Sequence, residues 1–229
     1  MKSQIDAKNL SFKYYNSNDY ILNGIDINVK KGEIISVVGL SGSGKTTLSY
    51  CLSGIIPHVY EGELTGNVFI KGENIKDLSM PNIATKVGIV FQNPETQLFF
   101  PIVENELAFG PENLCIDSSE IGKRIKNVLK LLNIDDLRYE RIEHLSGGQK
   151  QMVALASVLT LEPDILIFDE VMSQIDTEGK KAIKNIISNL KNEGKSIIMV
   201  EHNLYNIDIA DRKLLLKDGR LTQFEGRLL

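Results

Sequence analysis

The sequence predicts an α/β fold, with an antiparallel β portion near the N-terminus and a helical insertion in the middle. Three observations carry that expectation. A glycine-rich loop, Gly39-Leu40-Ser41-Gly42-Ser43-Gly44-Lys45-Thr46, lies between an apolar β-branched run and a helix-forming stretch. Two further apolar runs, residues 164–168 and 196–200, have the length of buried strands rather than helices. Before the loop, residues 10–14 and 25–29 alternate apolar and polar side chains, the period of half-buried antiparallel strands.

Taken in order, residues 33–38 form a continuous apolar run, which suits a strand covered on both faces. Residues 46–52 follow as a helix, and residues 66–72 as a strand that ends in a turn. From Pro94 the character changes, and Pro101 and Pro111 are expected to break the chain there. Residues 119–132 read as an amphipathic helix with Ile121, Ile125, Val128, Leu129 and Leu132 on one face. Residues 150–159 read as a helix. Residues 177–190 read as another, ended by Gly194. Two short strands, residues 214–216 and 221–224, are joined by the Asp218-Gly219 turn.

At 229 residues the chain fits one large domain, or one domain with a small subdomain, and can bury a substantial core. With 42% apolar and 24% charged residues it is of ordinary globular type, which excludes disordered and collagen-like classes. Lys+Arg 26 against Asp+Glu 30 gives a net charge of −4, so nucleic acid is not expected as a partner. Cys51 and Cys115 lie outside any CxxC pattern and read as reduced thiols of a cytosolic protein. The first residues lack the apolar core of a secretory signal. No apolar run approaches the roughly 20 residues needed to cross a bilayer, so any work on a membrane is expected through docking to another subunit.

The glycine-rich loop fits G-x-x-x-x-G-K-[ST], in which backbone N–H groups turn inward around phosphate oxygens and the next helix adds its positive end. In that pattern Lys45 neutralises the β- and γ-phosphates and Thr46 places a hydroxyl on Mg²⁺. Ile165-Leu166-Ile167-Phe168-Asp169-Glu170 fits the Walker B pattern: two acids end an apolar strand, where burial is costly without a cation. Asp169 is expected near the magnesium and Glu170 at the attacking water. Between these motifs stands Leu145-Ser146-Gly147-Gly148-Gln149.

With that pentapeptide between loop and Walker B strand, the chain resembles the ATP-binding-cassette (ABC) ATPases, a P-loop NTPase fold. The resemblance implies a single domain over residues 1–229. Within it, residues 1–93 and 146–229 form a RecA-like core with an antiparallel β subdomain, and residues 94–145 form the Q-loop and helical subdomain. It implies ATP and Mg²⁺ as cofactors. ATP phosphates would be held by Gly39, Leu40, Ser41, Gly42, Ser43, Gly44, Lys45, Thr46 and Thr47, and the metal by Thr46, Gln92 and Asp169. Catalysis would rest on Lys45, Glu170 and the switch histidine His202. Tyr14 matches the aromatic that stacks on adenine; Phe12 shares its strand face, so one of the two is core and the other a platform, with Tyr15 as a rival. Ser146, Gly147, Gly148, Gln149 and the D-loop residue Asp176 would serve the nucleotide of a partner chain, so a homo- or heterodimer is implied. His58 and His144 match no motif and are expected to be structural.

Some positions depart from the commonest family pattern: Met152, Val171, Met172, Glu201 and Asn203. They bear on the geometry after Glu170 and around His202. A narrower resemblance lies in Phe91-Gln92-Asn93-Pro94-Glu95-Thr96-Gln97-Leu98-Phe99 and Glu104-Asn105-Glu106-Leu107-Ala108-Phe109-Gly110-Pro111-Glu112-Asn113-Leu114. These resemble the ATPases of energy-coupling-factor importers of the cobalt and vitamin type. That resemblance implies an integral membrane coupling subunit, a substrate-binding membrane subunit, and a peripheral place on the cytoplasmic face of the membrane. The segment after the Q-loop would form part of the docking groove. Two other readings stay open: a soluble, non-transport ABC ATPase, and a regulatory nucleotide-binding subunit with weak hydrolysis.

Overall fold

The computed structural model describes residues 3–173, 175–224 and 226. Four strands build an antiparallel sheet near the N-terminus: β1 (Ser3–Tyr14), β2 (Leu22–Lys30), β4 (Gly62–Ile70) and β5 (Glu73–Asn74), in the order β2-β1-β4-β5. In β2 the alternation is plain: Ile25, Ile27 and Val29 are buried while Asp26 and Lys30 are exposed. The strand expected from residue 10 begins at Ser3 instead. A register shift between Ala7 and Leu10, with Asn9 at φ 47°, resets which face points inward. Ile5 and Ala7 therefore share the core with Leu10 and Phe12 at an odd spacing, which hides the period of two.

The second sheet holds β3 (Ile34–Val38), β6 (Val87–Val90), β7 (Ile165–Asp169), β8 (Ser196–Glu201), β9 (Arg212–Lys217) and β10 (Arg220–Gln223). The order is β10-β9-β3-β8-β7-β6. All pairs are parallel except the β9–β10 hairpin, whose turn residues Asp218 and Gly219 both have positive φ. β3, β7 and β8 are buried along their whole length. Successive residues of one strand serve opposite cores: Leu166 and Phe168 face one, Ile165 and Ile167 the other. β6 has no expectation behind it; only four residues long, it contains Gly88, where a Cβ would come within 2.3 Å of Val158.

The helices are α1 (Lys45–Ser53), α2 (Ile55–His58), α3 (Met80–Ala84), α4 (Val103–Asn113), α5 (Ser118–Leu132), α6 (Gly147–Leu159) and α7 (Thr177–Asn192). α1 and the antiparallel sheet cover one face of the six-stranded sheet, and α4 to α7 cover the other. The buried face of α5 consists of Ile121, Ile125, Val128, Leu129 and Leu132, as its periodicity predicts. Asp117 caps its N-terminus by accepting from the Ser119 N–H, and Asn133 ends it at φ 56°.

The expected break holds at Pro101, which stands in irregular chain before α4. At Pro111 it does not: that proline lies inside the last turn of α4. A proline so close to a helix end removes a single backbone donor, and few bonds remain downstream to lose. His58 places its ring nitrogens 3.1 Å from Gly54 O and 2.9 Å from Leu78 O, a structural bridge. His144 is exposed beside Glu143 and bridges nothing of that kind.

Ile125 is 2% exposed, so Ile125→Ala should lower the unfolding free energy by about 2–4 kcal/mol. Lys126→Ala on the exposed face of the same helix should cost under about 0.5 kcal/mol. Urea denaturation of both variants measures the contrast.

Candidate active site

The parallel register sets the C-terminal ends of β3, β8 and β7 side by side, with Val38 opposite Glu201 and Asp169 opposite Val200. Crevices outside such strand ends are where open α/β sheets bind ligands. The glycine-rich loop leaves β3 there and enters α1. Two of its glycines are required by space and conformation. A Cβ on Gly39 would lie 2.6 Å from Leu216 O, and Gly44 sits at φ 98°. Leu40, Ser41, Gly42 and Thr46 are exposed at the loop tip and the helix start, whereas Thr47 is buried. Lys45 is only 5% exposed, and its ammonium lies 3.1 Å from both Gly39 O and Leu40 O.

That ammonium also lies 3.2 Å from Glu170 Oε1. The other oxygen of Glu170 lies 3.0 Å from His202 Nδ1 and accepts from Gln92 Nε2 at 3.4 Å. Gln92 also donates to Ser173 Oγ. Glu170 adopts φ 50°, a left-handed conformation that costs a side-chain-bearing residue on the order of 1 kcal/mol or more. Its N–H still donates to Val200 O at 2.9 Å, so the turn off β7 stays pinned to β8. Thus Lys45, Gln92 and His202, from three separate segments, meet at one carboxylate.

Asp169, one residue earlier, is 3% exposed, and its Oδ1 has no hydrogen-bond partner. Burial pushes its carboxyl up to about 6; a hydrogen bond with Thr46 pulls down, Glu170 pushes further up, and Lys45 opposes. A buried carboxylate oxygen without a partner beside a threonine hydroxyl fits an oxygen-seeking cation. Gln92, Thr46 and Asp169 line one cleft of about 460 Å³, together with Tyr50, Tyr60 and Phe91. No cluster of three or more His, Cys, Asp or Glu that could hold a metal occurs among the described residues. Magnesium suits such a sparse ligand set, because it keeps waters and takes phosphate oxygens.

Phe12 is fully buried, so of the two it is the core residue, and Tyr14 packs edge-on against it at 4.8 Å between ring centres. The Tyr14 hydroxyl is 3.5 Å from Thr47 Oγ1, which ties the aromatic to the phosphate loop. Tyr15 is exposed. Tyr20, which the sequence reading passes over, lines a cleft of about 430 Å³ with Ile21, residues 40–43 of the loop and the Asp218–Gly219 turn. Its hydroxyl donates to Glu63, and Lys13 sits over its ring. Its position opposite the hairpin turn is a tertiary fact without a local signal.

Ser146 N-caps α6 in a reciprocal capping box. Its Oγ accepts from the Gln149 N–H at 3.3 Å, and Gln149 Oε1 accepts from the Ser146 N–H at 2.9 Å. A Cβ on Gly147 or Gly148 would meet nothing within 4 Å, so packing within this chain does not require either glycine. Among the described residues, no recorded hydrogen bond or ion pair joins residues 146–149 to the phosphate loop. Asp176 caps α7, its Oδ1 accepting from the Gly179 N–H at 2.7 Å.

The segment carrying Gln92 is held by side chains that the motifs do not mark. The Phe91 N–H donates to Gln97 Oε1 and the Phe91 carbonyl accepts from Gln151 Nε2, both at 3.1 Å. Lys150 pairs with Glu95 at 2.7 Å. Glu106 is buried and accepts from the N–H groups of Phe99 and Phe100, at 2.8 and 2.9 Å. The glutamines are visible in the sequence, but their partners are backbone atoms, six residues away for Gln97 and 60 for Gln151, which residue type does not announce.

Glu201 is 1% exposed, and Asn206 Nδ2 donates to its Oε2 at 2.9 Å. Burial pushes its carboxyl up to about 7; Asn206 pulls down, Glu170 pushes up, and His202 and Lys180 pull down. The folded chain therefore keeps the proton between its ordinary value of 4.5 and about 7, where the unfolded chain has lost it. This contribution to stability is full below that window, falls as pH rises through it and stays lost above. Asp169 acts in the same sense between 3.8 and about 6. Glu201→Gln removes the Glu201 contribution. Thermal melts without nucleotide should show the variant gaining a few degrees over the wild type at about pH 8, with the gap closing near pH 5.

Compared with known proteins, the chain matches the family model described as ABC transporter over residues 22–173. It is 44% identical over 225 residues to an ABC transporter ATP-binding protein of Pyrococcus abyssi, covering 97% of this chain and 80% of that protein. It is 42% identical over 218 residues to the energy-coupling factor transporter ATP-binding protein EcfA of Methanosarcina acetivorans, covering 95% and 77%. Among solved structures it is similar to CbiO1 of Clostridium perfringens, part of the ABC transporter complex CbiONQ. That match has a TM-score of 0.85 and 32% identity, over 97% of this chain and 88% of that one. A dimeric bacterial ABC transporter cassette superposes with a TM-score of 0.83 at 26% identity, over 97% and 100%.

Proposed function

The chain belongs to the ABC transporter family, as an ATP-hydrolysing subunit, and from that premise we propose that it powers an importer of the energy-coupling-factor type. The observation that carries the catalytic reading is the convergence of Lys45, Gln92 and His202 on Glu170, next to the partnerless oxygen of Asp169. In this reading the N–H groups of residues 39–46 and the Lys45 ammonium cradle the phosphates. Thr46, Asp169 and Gln92 hold magnesium, which when bound supplies positive charge to the phosphate oxygens. Glu170 orients the attacking water and draws on its proton, and His202, half exposed at the mouth of the site, reaches the γ-phosphate. Tyr14 stacks on the adenine.

A second copy or a paralogous chain completes the site. Ser146, Gly147 and Gly148 present the open N-terminus of α6 to the nucleotide of the partner, with Asp176 alongside. The absence of any packing demand for Gly147 and Gly148 within this chain supports a use across an interface. The similarity to a dimeric cassette points the same way.

The importer type rests on the similarity to EcfA and to CbiO1, and on the segment after Gln92. That segment presents Phe99, 75% exposed, on a cleft of about 290 Å³ shared with Leu98, Phe100 and Ile142. The exposed Phe109 packs beside it against Phe100, ring centres 5.2 Å apart. Glu106 fixes the backbone beneath it. A membrane coupling subunit docks there, and a separate membrane subunit selects the solute, a small nutrient such as a vitamin or metal ion. No helix among the described residues is long and apolar enough to cross a membrane.

Glu170→Gln should keep ATP affinity and lose turnover by about 10²-fold or more, and should accumulate an ATP-bound dimer on size exclusion. Adding Ser146→Arg should abolish that dimer while the monomer still binds ATP. Loss of nucleotide binding by the monomer would contradict the in-trans assignment. Purified from detergent-solubilised membranes of its own cells, the tagged chain should bring down integral membrane proteins, and Phe99→Asp should release them with ATPase activity intact. Recovery without membrane proteins would favour a soluble, non-transport role.

A further inference from the structure

We propose that Glu201 and Asn206 are positioning residues for ATP hydrolysis: their buried side-chain hydrogen bond holds the turn that presents His202 to Glu170. The inference rests on the reading of His202 and Glu170 as the water-activating pair.

β8 ends at Glu201, opposite Val38 and therefore one residue from the start of the phosphate loop. His202 follows at once and is 51% exposed, so packing alone does not fix its ring. The chain then turns sharply. Asn203 Oδ1 accepts from the Tyr205 N–H at 3.0 Å, and the Asn206 N–H donates to Asn203 O at 3.1 Å. The turn brings the Asn206 side chain back to the end of β8, where it donates to Glu201 Oε2 at 2.9 Å. Asn206 is 3% exposed, so both ends of this bond are sealed from water. The outer side of the same turn is tied to α7, through Lys184 Nζ to Tyr205 O at 2.5 Å and to Asp208 at 2.6 Å.

A buried carboxyl at the end of a central strand is a costly residue to keep, and an apolar side chain would cover that space more cheaply. What the carboxyl adds is a directional link to Asn206. The bond spans five positions and closes the turn with His202 at its mouth. Without it, the exposed imidazole would ride on a turn that has lost its buried side-chain link to the end of β8, and its distance to Glu170 would no longer be set. Misplacement of a catalytic group by about 1 Å costs up to 10²-fold in rate, so even a partial loss of this hold is measurable.

The experiment measures steady-state ATP hydrolysis by the full chain with magnesium, for Glu201→Ala, Glu201→Gln, Asn206→Ala, His202→Ala and the Glu201→Ala/His202→Ala pair, with thermal melts as a folding control. Glu201→Ala and Asn206→Ala should each lower kcat about tenfold, with KM for ATP within about twofold. Glu201→Gln, which still accepts from Asn206, should stay within about twofold of wild-type kcat. In the His202→Ala background, Glu201→Ala should add no more than about twofold. A full additional loss in that background would overturn the proposal, as would a rise in KM at unchanged kcat, or Glu201→Gln as impaired as Glu201→Ala. If Glu201→Ala does not fold, Asn206→Ala removes the same bond and decides alone. A slow His202→Ala beside a wild-type Glu201→Ala would remove this inference only. His202→Ala at the wild-type rate would remove the underlying assignment and the inference with it.

Discussion

Lys45, His202 and Gln92 all reach the carboxylate of Glu170, and the backbone beneath that carboxylate is twisted to φ 50° to meet them. The remainder of the site depends on this meeting. Asp169, Glu170 and Glu201 bring three carboxyl groups to the ends of two adjacent strands, with Lys45 as the buried ammonium among them. Water is largely excluded there, so desolvation raises the cost of each charge, and the like charge of Glu170 adds to it. The carboxyls of Asp169 and Glu201 are pushed up to about 6 and about 7 as a result. A sheet covered on both faces makes the arrangement affordable, since two apolar cores hold the strand ends in place while the polar cluster strains against them.

The same logic explains how remote segments are tied to that cluster. α6 starts at the capping box of Ser146 and Gln149, and its next residues, Lys150 and Gln151, grip the segment around Gln92. The Lys150–Glu95 pair is exposed on its acidic side and adds little stability in water. The bond from Gln151 to Phe91 O is buried on the donor side and sets where the backbone goes. A shift of α6 therefore carries the Gln92 segment with it. In the proposed dimer, with α6 termini at the partner's nucleotides, that tie would link the two sites mechanically, alongside the aromatic surface proposed as the dock.

Motifs with tight local meaning were legible: the glycine-rich loop, the acidic pair after an apolar strand, the pentapeptide before α6 and the amphipathic face of α5. Each works through backbone conformation or periodicity, which a short stretch of sequence carries by itself. Errors fell where local and tertiary signals diverge. The bulge at Asn9 concealed the first half of β1, the last-turn position of Pro111 let α4 run past it, and β6 was too short to announce itself. Glu201 stood out only as an unusual neighbour of His202; its partner Asn206 was invisible until the turn folded back.

The sequence by itself determined the α/β class, the glycine-rich loop and the acids that accompany it, because those features follow from residue type and spacing along the chain; the family came from the resemblance its motifs carry. Only the tertiary structure decided that Lys45, Gln92 and His202 converge on Glu170, that one oxygen of Asp169 is left without a partner, and that Glu201 closes the His202 turn. These depend on parallel strands placed side by side from distant parts of the chain, and on the low dielectric between two cores. Neither is written in any local run of residues.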